Sequence, residues 1–347
     1  MVTGDNLPSD QTGEFAFNYT CGAKQFGLYR DPLRSLDGLN SAVAVTSYDM
    51  NLELWSTEMT KPCPAPLPPT KPRLVLPHGA CDTHVHVLGP YDKYPLNPAR
   101  TYTAPEAPVD KLASFLDTMG CERVVIAHVT AHGTDMSVTL DAIRILGERA
   151  RGVAILAPEL TDTELQILHD GGIRGTRLTP LYGTEVTAET LTDTANRITP
   201  LGWHLVYAPS SAEQWLNLAP RLGTLPCDVV IDHMAWRGFT LDGGLNQPGI
   251  RALMDTLATG RCWLKLAAPH RYAKTAPPYP DLAPYIAAVL EARPDRIIWA
   301  SDWPHVRVWD EPMPNDADLV DWILDWGLDE ATQRQILVDN PALLYGF

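Results

Sequence analysis

Residues 81–90 read Cys-Asp-Thr-His-Val-His-Val-Leu-Gly-Pro, a β-prone run that carries two histidines and ends at a glycine and a proline. Seven further short apolar runs follow it, and amphipathic stretches of helical length lie between them. The predicted strands are 81–87, 123–129, 152–156, 173–178, 203–207, 228–232, 262–266 and 296–301. The predicted helices are 109–119, 135–148, 161–169, 188–199, 212–222, 250–259 and 283–291.

This repeated strand-then-helix order is typical of a parallel sheet with right-handed crossovers. Eight such units in about 250 residues predict an α/β protein with a closed (β/α)8 TIM barrel. A doubly wound open sheet is the alternative. No G-x-G-x-x-G follows the first predicted strand, so the usual dinucleotide-binding signature of that alternative is missing.

Prolines divide the chain into two parts. Seven of the 31 prolines lie within residues 61–79, and because proline fixes φ and lacks an N–H, this stretch is predicted to be an extended linker. Residues 1–60 hold too few apolar clusters for a core of their own. We therefore expect an N-terminal arm at 1–60, which packs on the barrel of residues 80–347 or on a neighbouring subunit in a homo-oligomer.

Composition excludes several classes of protein. The chain has 27 Lys and Arg against 42 Asp and Glu, a net charge of −15, which would repel a nucleic-acid backbone. Neither a basic, apolar leader nor an apolar run of about 18 residues is present, so no membrane association is expected. The six cysteines are spaced singly, which predicts free thiols and a cytoplasmic location.

Catalytic residues of a TIM barrel gather at the C-terminal ends of its strands. His84 and His86 lie two residues apart at the end of the first strand, so both imidazoles face the same side and can bind a divalent metal or a carbonyl oxygen. Asp302 ends the eighth strand and could be a metal ligand, a base or only a helix cap. His233 ends the sixth strand and could equally be a core histidine.

Several longer motifs point to a known family. They are Cys81–Pro90, Ile173-Arg-Gly-Thr-Arg177, Asp232-His-Met234, Leu264-Lys-Leu266, Trp299-Ala-Ser-Asp-Trp-Pro-His305 and the ending Asn340-Pro-Ala-Leu-Leu-Tyr-Gly-Phe347. In these motifs the chain resembles the amidohydrolase superfamily, in the branch that contains 2-pyrone-4,6-dicarboxylate lactonases and muconolactone-type hydrolases. The resemblance implies a barrel enzyme that hydrolyses a lactone.

The resemblance also bears on the metal. Typical two-metal members carry a carboxylated Lys on strand four and a His on strand five, where this chain has Arg177 and Tyr207. The resemblance therefore implies either one Zn²⁺ held by His84, His86 and Asp302, which is the version we favour, or a metal-free site in which the histidines polarise the substrate directly.

The substrate is predicted from three arginines. Arg177, Arg237 and Arg271 all follow strand ends, and guanidinium groups bind carboxylates or sulfonates in bidentate fashion. Tyr207 and Tyr94 are further candidates for substrate contact. The pyrone-dicarboxylate lactonases carry another arginine shortly after strand four, whereas residues 178–183 here read Leu-Thr-Pro-Leu-Tyr-Gly, which argues against that pyrone as the substrate.

Together these features predict a hydrolase that opens a small anionic lactone of muconolactone type, such as 4-sulfomuconolactone, formed during the breakdown of aromatic compounds. Asp302 would take a proton from the attacking water, and His233 would bind the carbonyl or assist proton transfer. Two alternatives remain open. One is a metal-dependent decarboxylase of an aromatic or muconate-type acid, and the other is a non-catalytic barrel that serves as a binding subunit.

Overall fold

A computed structural model describes residues 19–21, 24–26, 61–178 and 186–347 of the chain. Eight parallel strands form one sheet in which every strand neighbours the next along the chain. They are β1 (Cys81–Val85), β2 (Arg123–Ala127), β3 (Ala150–Ala154), β4 (Ile173–Leu178), β5 (His204–Tyr207), β6 (Val229–Ile231), β7 (Cys262–Leu266) and β8 (Ile297–Trp299).

Helices lie between consecutive strands and after the last one. They are α1 (Val109–Met119), α2 (Ser137–Leu146), α3 (Asp162–Asp170), α4 (Ala188–Ile198), α5 (Ala212–Leu222), α6 (Pro248–Ala258), α7 (Ala283–Ala292), α8 (Asp316–Asp321), α9 (Glu330–Arg334) and α10 (Asn340–Tyr345). Among the described residues, none of these helices has the length and apolarity that a membrane span requires.

Hydrogen bonds join the first and last strands and close the barrel. The Thr83 hydroxyl donates to the Trp299 carbonyl at 2.7 Å, and the Asp302 N–H donates to the His84 carbonyl at 3.0 Å. The His86 N–H donates to the Trp303 carbonyl at 2.8 Å. The predicted TIM barrel is confirmed, and the open doubly wound sheet is wrong, because such a sheet would leave its outer strands unpaired.

Two apolar layers stabilise the barrel. The larger lies between strands and helices, and the smaller fills the interior with one side chain from each of seven strands together with Tyr345. The interior side chains are Cys81, Val125, Val153, Val206, Val230, Trp263 and Ile298. Five cysteines are free thiols, as predicted, and four of them are buried; the side chain of Cys21 lies outside the described residues.

Several predicted strands are longer than the observed ones. The first was expected to reach residue 87 and the eighth residue 301, but they end at Val85 and Trp299. Beyond these points the backbone leaves the strand ladder and forms the loops of the barrel mouth. The first and eighth strands therefore end two residues earlier than the sequence pattern predicts.

The proline-rich segment packs on the barrel. Residues 61–62 pair in parallel with residues 102–103, and the Cys63 N–H donates to the Thr103 carbonyl at 2.7 Å. Further along, the backbone N–H groups of Arg73 and Leu74 both donate to Asp321 on α8 at 2.8 Å. This extended segment thus satisfies backbone polar groups by bonding to a short strand and to a helix of the barrel domain.

The chain divides into two units, residues 1–52 and residues 53–347. In the first, the described part is an antiparallel pair of strands, Tyr19–Cys21 with Lys24–Phe26. The predicted arm at 1–60 otherwise lies outside the described residues. Its packing on a neighbouring subunit stays a prediction.

Candidate active site

Three imidazoles converge on one carboxylate at the C-terminal end of the barrel. The Nε2 atoms of His84, His86 and His233 lie 3.7, 3.9 and 3.9 Å from Oδ1 of Asp302. His84 and His86 come from the end of β1, His233 follows β6 and Asp302 follows β8. The structure thus brings together all four residues that the sequence singled out for catalysis or metal binding.

The ring of His86 is held in one tautomer. Its Nδ1 lies 2.7 Å from the carbonyl oxygen of Ala127, which can only accept, so Nδ1 carries the hydrogen and Nε2 presents a lone pair to the site. Burial lowers the pKa of His86 to about 4. A neutral His86 can therefore bind a metal ion or accept a proton, but it cannot donate to a substrate carbonyl.

His84 contacts a buried lysine that the sequence analysis did not assign to the site. The Nζ of Lys265 lies 3.0 Å from Nδ1 of His84 and 3.0 Å from Oδ1 of Asp232. Nδ1 of His84 is also 3.4 Å from that carboxylate oxygen, while its Nε2 has no hydrogen-bond partner. Burial and then the Lys265 charge hold the pKa of His84 well below its ordinary value, so the imidazole is neutral.

Asp302 is ionised although it is buried. Burial alone would raise the pKa of Asp302, but the neighbouring positive charges, His233 when protonated and Arg271, hold it well below the ordinary value. The Nη2 of Arg271 lies 3.2 Å from Oδ2, which leaves Oδ1 facing the three histidines. Asp302 also has a φ of 71°, a left-handed conformation unusual for a residue other than glycine.

Asp82 connects the two strands that carry these groups. Its Oδ1 accepts the backbone N–H groups of His84 and Ser301, each at 3.1 Å, while Oδ2 has no partner. Burial raises the pKa of Asp82 to about 7, despite hydrogen bonds that lower it. Asp82 thus holds the end of β1 beside the loop that carries Asp302.

The donor set fits a single zinc ion in number and spacing. His84, His86 and Asp302 each offer a ligand atom, and these atoms lie within 4.8 Å of one another. Tetrahedral bonds of about 2.1 Å would separate ligand atoms by about 3.4 Å, close to the 3.7 and 3.9 Å from each imidazole to Asp302. The free Nε2 of His86 and the unpartnered Nε2 of His84 are the atoms that such an ion would contact.

A cavity of about 330 Å³ opens above these residues. Arg177, Arg237 and Arg271 all line it, as predicted for binding an anionic substrate. Arg237 stacks on Trp236 with its guanidinium carbon 4.2 Å from the ring centroid, and the charges of Arg307 and Arg271 act with burial to lower its pKa. Because the chain as a whole is acidic, a cavity lined by several arginines favours an anionic ligand.

Sequence reasoning missed several cavity residues. Arg307 and Trp309 come from the loop after β8 and were not among the predicted site residues. The Arg307 N–H donates to Sγ of Cys63 at 3.2 Å, and the Trp309 Nε1 donates to the Pro62 carbonyl at 2.9 Å, so the proline-rich segment supports this wall. In the sequence, the position of Arg307 and Trp309 in the loop that follows the eighth strand was the one signal that placed them near the site.

Two predicted substrate contacts lie away from the cavity. Tyr207 is fully buried, stacks on Trp215 and donates from its hydroxyl to Gln214 on α5 at 3.2 Å, so it faces the helix layer. The Tyr94 hydroxyl donates to Asp141 on α2 at 2.5 Å. Tyr102 lines the cavity instead, and its hydroxyl lies 3.1 Å from the hydroxyl of Thr130.

A closed barrel with paired histidines after its first strand and an aspartate after its eighth defines a class of barrel hydrolases. The chain belongs to the amidohydrolase family, whose model matches residues 81–347.

Two relatives with named activities match most of the chain. A 4-sulfomuconolactone hydrolase of Hydrogenophaga intermedia is 35% identical over 298 residues, which covers 84% of this chain and 97% of that protein. A 2-pyrone-4,6-dicarboxylate hydrolase of Comamonas testosteroni is 35% identical over 291 residues, with 80% and 93% covered.

A solved structure, a probable 2-pyrone-4,6-dicarboxylic acid hydrolase of Acinetobacter baumannii with citric acid bound, has a TM-score of 0.66 and 26% identity. It covers 78% of this chain and 100% of its own. The predicted family is confirmed.

Proposed function

We propose that this protein hydrolyses a small anionic lactone of muconolactone type, one that carries a carboxylate and a second anionic group such as a sulfonate. The observation that carries the proposal is the convergence of three Nε2 atoms on Oδ1 of Asp302 beside a cavity lined by arginines. Such a site can activate water, stabilise an oxyanion and bind an anion at the same time.

Asp302 acts as the base in this mechanism. Its Oδ1 accepts a proton from water while the water oxygen attacks the lactone carbonyl carbon. His84 donates from Nε2 to the carbonyl oxygen and stabilises the negative charge that develops there, and His233 lies within reach of the same oxygen. The tetrahedral intermediate then expels the ring oxygen, which takes up the proton, and the product is the ring-opened acid.

The arginines orient the lactone. Arg177 and Arg271 lie beside Asp232 and Asp302, at 3.8 and 3.2 Å, and hold the substrate's carboxylate close to the reacting carbonyl. When Arg271 bonds to a substrate anion, its charge lowers the pKa of Asp302 less, so Asp302 becomes a stronger base. Arg237 binds the second anionic group further out in the cavity. Binding energy is thereby converted into orientation at the carbonyl.

We propose zinc as the metal that His84, His86 and Asp302 would hold. When bound, it would supply Lewis-acid polarisation of the carbonyl and a more acidic water. His86, whose Nε2 carries a lone pair, has its clearest role as a ligand. In the metal-free mechanism, the Nε2–H of His84 polarises the carbonyl directly, and His86 is not needed as a metal ligand.

The names of the relatives support lactone hydrolysis. Both relatives are called hydrolases of carboxylated or sulfonated ring compounds. The related structure is described with citric acid bound, a ligand with several carboxylates. An anionic lactone is the substrate class common to these names and to the arginine-lined cavity.

The proposal is tested with a panel of carboxylated and sulfonated lactones, followed by ultraviolet absorbance. Asp302→Asn should bind substrate but lower kcat by about a hundredfold or more, since it removes the base. Asp193→Asn, a change at an exposed carboxylate on α4 outside the cavity, is the matched control and should keep its activity. Near-normal turnover by Asp302→Asn would contradict the assignment.

The same panel separates the alternatives. Release of carbon dioxide from aromatic or muconate-type acids, without lactone opening, would identify a decarboxylase. Tight ligand binding without any turnover would identify a non-catalytic barrel. Metal analysis of the same samples would show whether zinc accompanies the activity.

A further inference from the structure

Lys265 is a buried side chain that contacts His84 from below the active site and does not line the cavity. It lies on β7 and is 1% exposed, beside the apolar interior cluster of the barrel. Its Nζ lies within hydrogen-bond distance of Nδ1 of His84, at 3.0 Å, and forms an ion pair with Oδ1 of Asp232, also at 3.0 Å. The proposed mechanism gives Lys265 no contact with substrate, so its burial calls for another reason.

The contact with His84 decides where that ring carries its hydrogen. An ammonium group has donors and no lone pair, so Nδ1 of His84 must accept the bond from Lys265. A neutral imidazole has one N–H, which is therefore on Nε2. That atom has no hydrogen-bond partner and points toward Asp302, 3.7 Å away.

This tautomer is the opposite of the one that a metal needs. A zinc ion at Nε2 requires a lone pair there and a hydrogen on Nδ1, which would then donate to an outer acceptor. Oδ1 of Asp232, 3.4 Å from Nδ1, is such an acceptor. The Nζ of Lys265 lies 3.0 Å from both of these atoms, competes with Asp232 for Nδ1 and adds a positive charge next to the ligand.

We propose that Lys265 is a positioning residue that keeps His84 in its Nε2–H form and thereby weakens the affinity of the His84, His86 and Asp302 site for zinc. Zinc binding then requires the hydrogen to move to Nδ1 and Lys265 to give up its bond to His84. Without the lysine, Asp232, His84 and zinc form the carboxylate–histidine–metal arrangement that strengthens binding. The inference concerns the same site as the proposed function.

The test is zinc affinity, measured without substrate by competition with a chromophoric chelator. Lys265→Met should bind zinc at least tenfold more tightly than the wild-type protein, and Asp232→Asn should bind it more weakly. Lys274→Met is the matched control, because Lys274 pairs with Asp242 at the surface, and it should leave the affinity unchanged. An affinity of Lys265→Met equal to or weaker than that of the wild type would overturn the proposal.

A second measurement uses the unaltered protein and so does not depend on the folding of the variant. Long-range proton–nitrogen spectra of metal-free protein labelled with ¹⁵N-histidine report the tautomer of each ring, with His84→Gln used for assignment. We expect His84 to carry its hydrogen on Nε2, and a hydrogen on Nδ1 would refute the inference. Neither measurement uses lactone turnover, so failure here and failure of the proposed function are distinguishable.

Discussion

Replacing Asp82 by Asn should change how the stability of this protein depends on pH. The side chain is fully buried, and its Oδ1 holds the N–H groups of His84 and Ser301. Asparagine keeps that acceptor oxygen and the side-chain shape but cannot ionise. The substitution therefore removes one titration and leaves the bonds that connect β1 to the loop of Asp302.

The magnitude follows from the pKa of Asp82, which burial raises from 3.8 to about 7. Each unit of pKa difference between folded and unfolded states is worth about 1.4 kcal/mol, so the whole titration is worth about 4 kcal/mol. Because the folded pKa is the higher one, the folded state holds the proton more tightly. Its stabilising contribution is complete below about pH 4 and is lost as the pH rises to about 7.

Urea unfolding at several pH values between 4 and 8.5 measures this effect. The free energy of unfolding of Asp82→Asn minus that of the wild type should increase by a few kcal/mol up to about pH 7 and stay constant above it. Asp193→Asn, which removes an exposed carboxylate on α4, is the matched control. A flat difference for Asp82→Asn would refute the reasoning.

Three further outcomes are expected. Arg237→Met should raise KM for lactones with two anionic groups by roughly ten- to a hundredfold, since a charge-assisted hydrogen bond is worth about 1.5–3 kcal/mol, and an equal effect on singly charged lactones would contradict its role. Tyr207→Phe should leave kcat/KM within about threefold, because its hydroxyl bonds to Gln214 and not to the cavity; a hundredfold loss in steady-state kinetics would place it in the site. Gly175→Ala should lower the free energy of unfolding by about 1–3 kcal/mol, as the added Cβ would lie 2.5 Å from Nε2 of His204, and an unchanged urea midpoint would show that His204 can move away.

The alternation of strands and helices was readable from the sequence because hydrophobic periodicity reports which residues a sheet buries. The paired histidines and Asp302 were readable because barrel chemistry gathers at the C-terminal ends of strands. A local rule sufficed in both cases.

Tyr207 shows where that rule is too coarse. Along β5, His204 contacts Tyr345 of the interior cluster and Val206 belongs to that cluster, so Tyr207 has the opposite parity and faces the helices. Arg177 pairs with Val206 in the register of β4 and β5 and faces inward with it. Position at a strand end therefore identifies a site residue only when the parity is also known.

The histidines of β1 depend on an irregularity that no periodicity predicts. Cys81 packs in the interior cluster, and strict alternation would place His84 on the opposite face from it. The pairing of β1 with β2 shifts register between Asp82 and Val85. Such a bulge turns the following side chains, which lets His84 face Asp302.

What the sequence by itself determined is the barrel, the family and the set of His84, His86, His233 and Asp302, because these depend on local patterns and strand order. Only the tertiary structure decided that Lys265 contacts His84, that Asp82 joins β1 to the Asp302 loop and that Arg307 reaches the cavity. Each of these contacts joins segments far apart in the chain. Their geometry depends on barrel closure and strand register, which no local stretch of residues records.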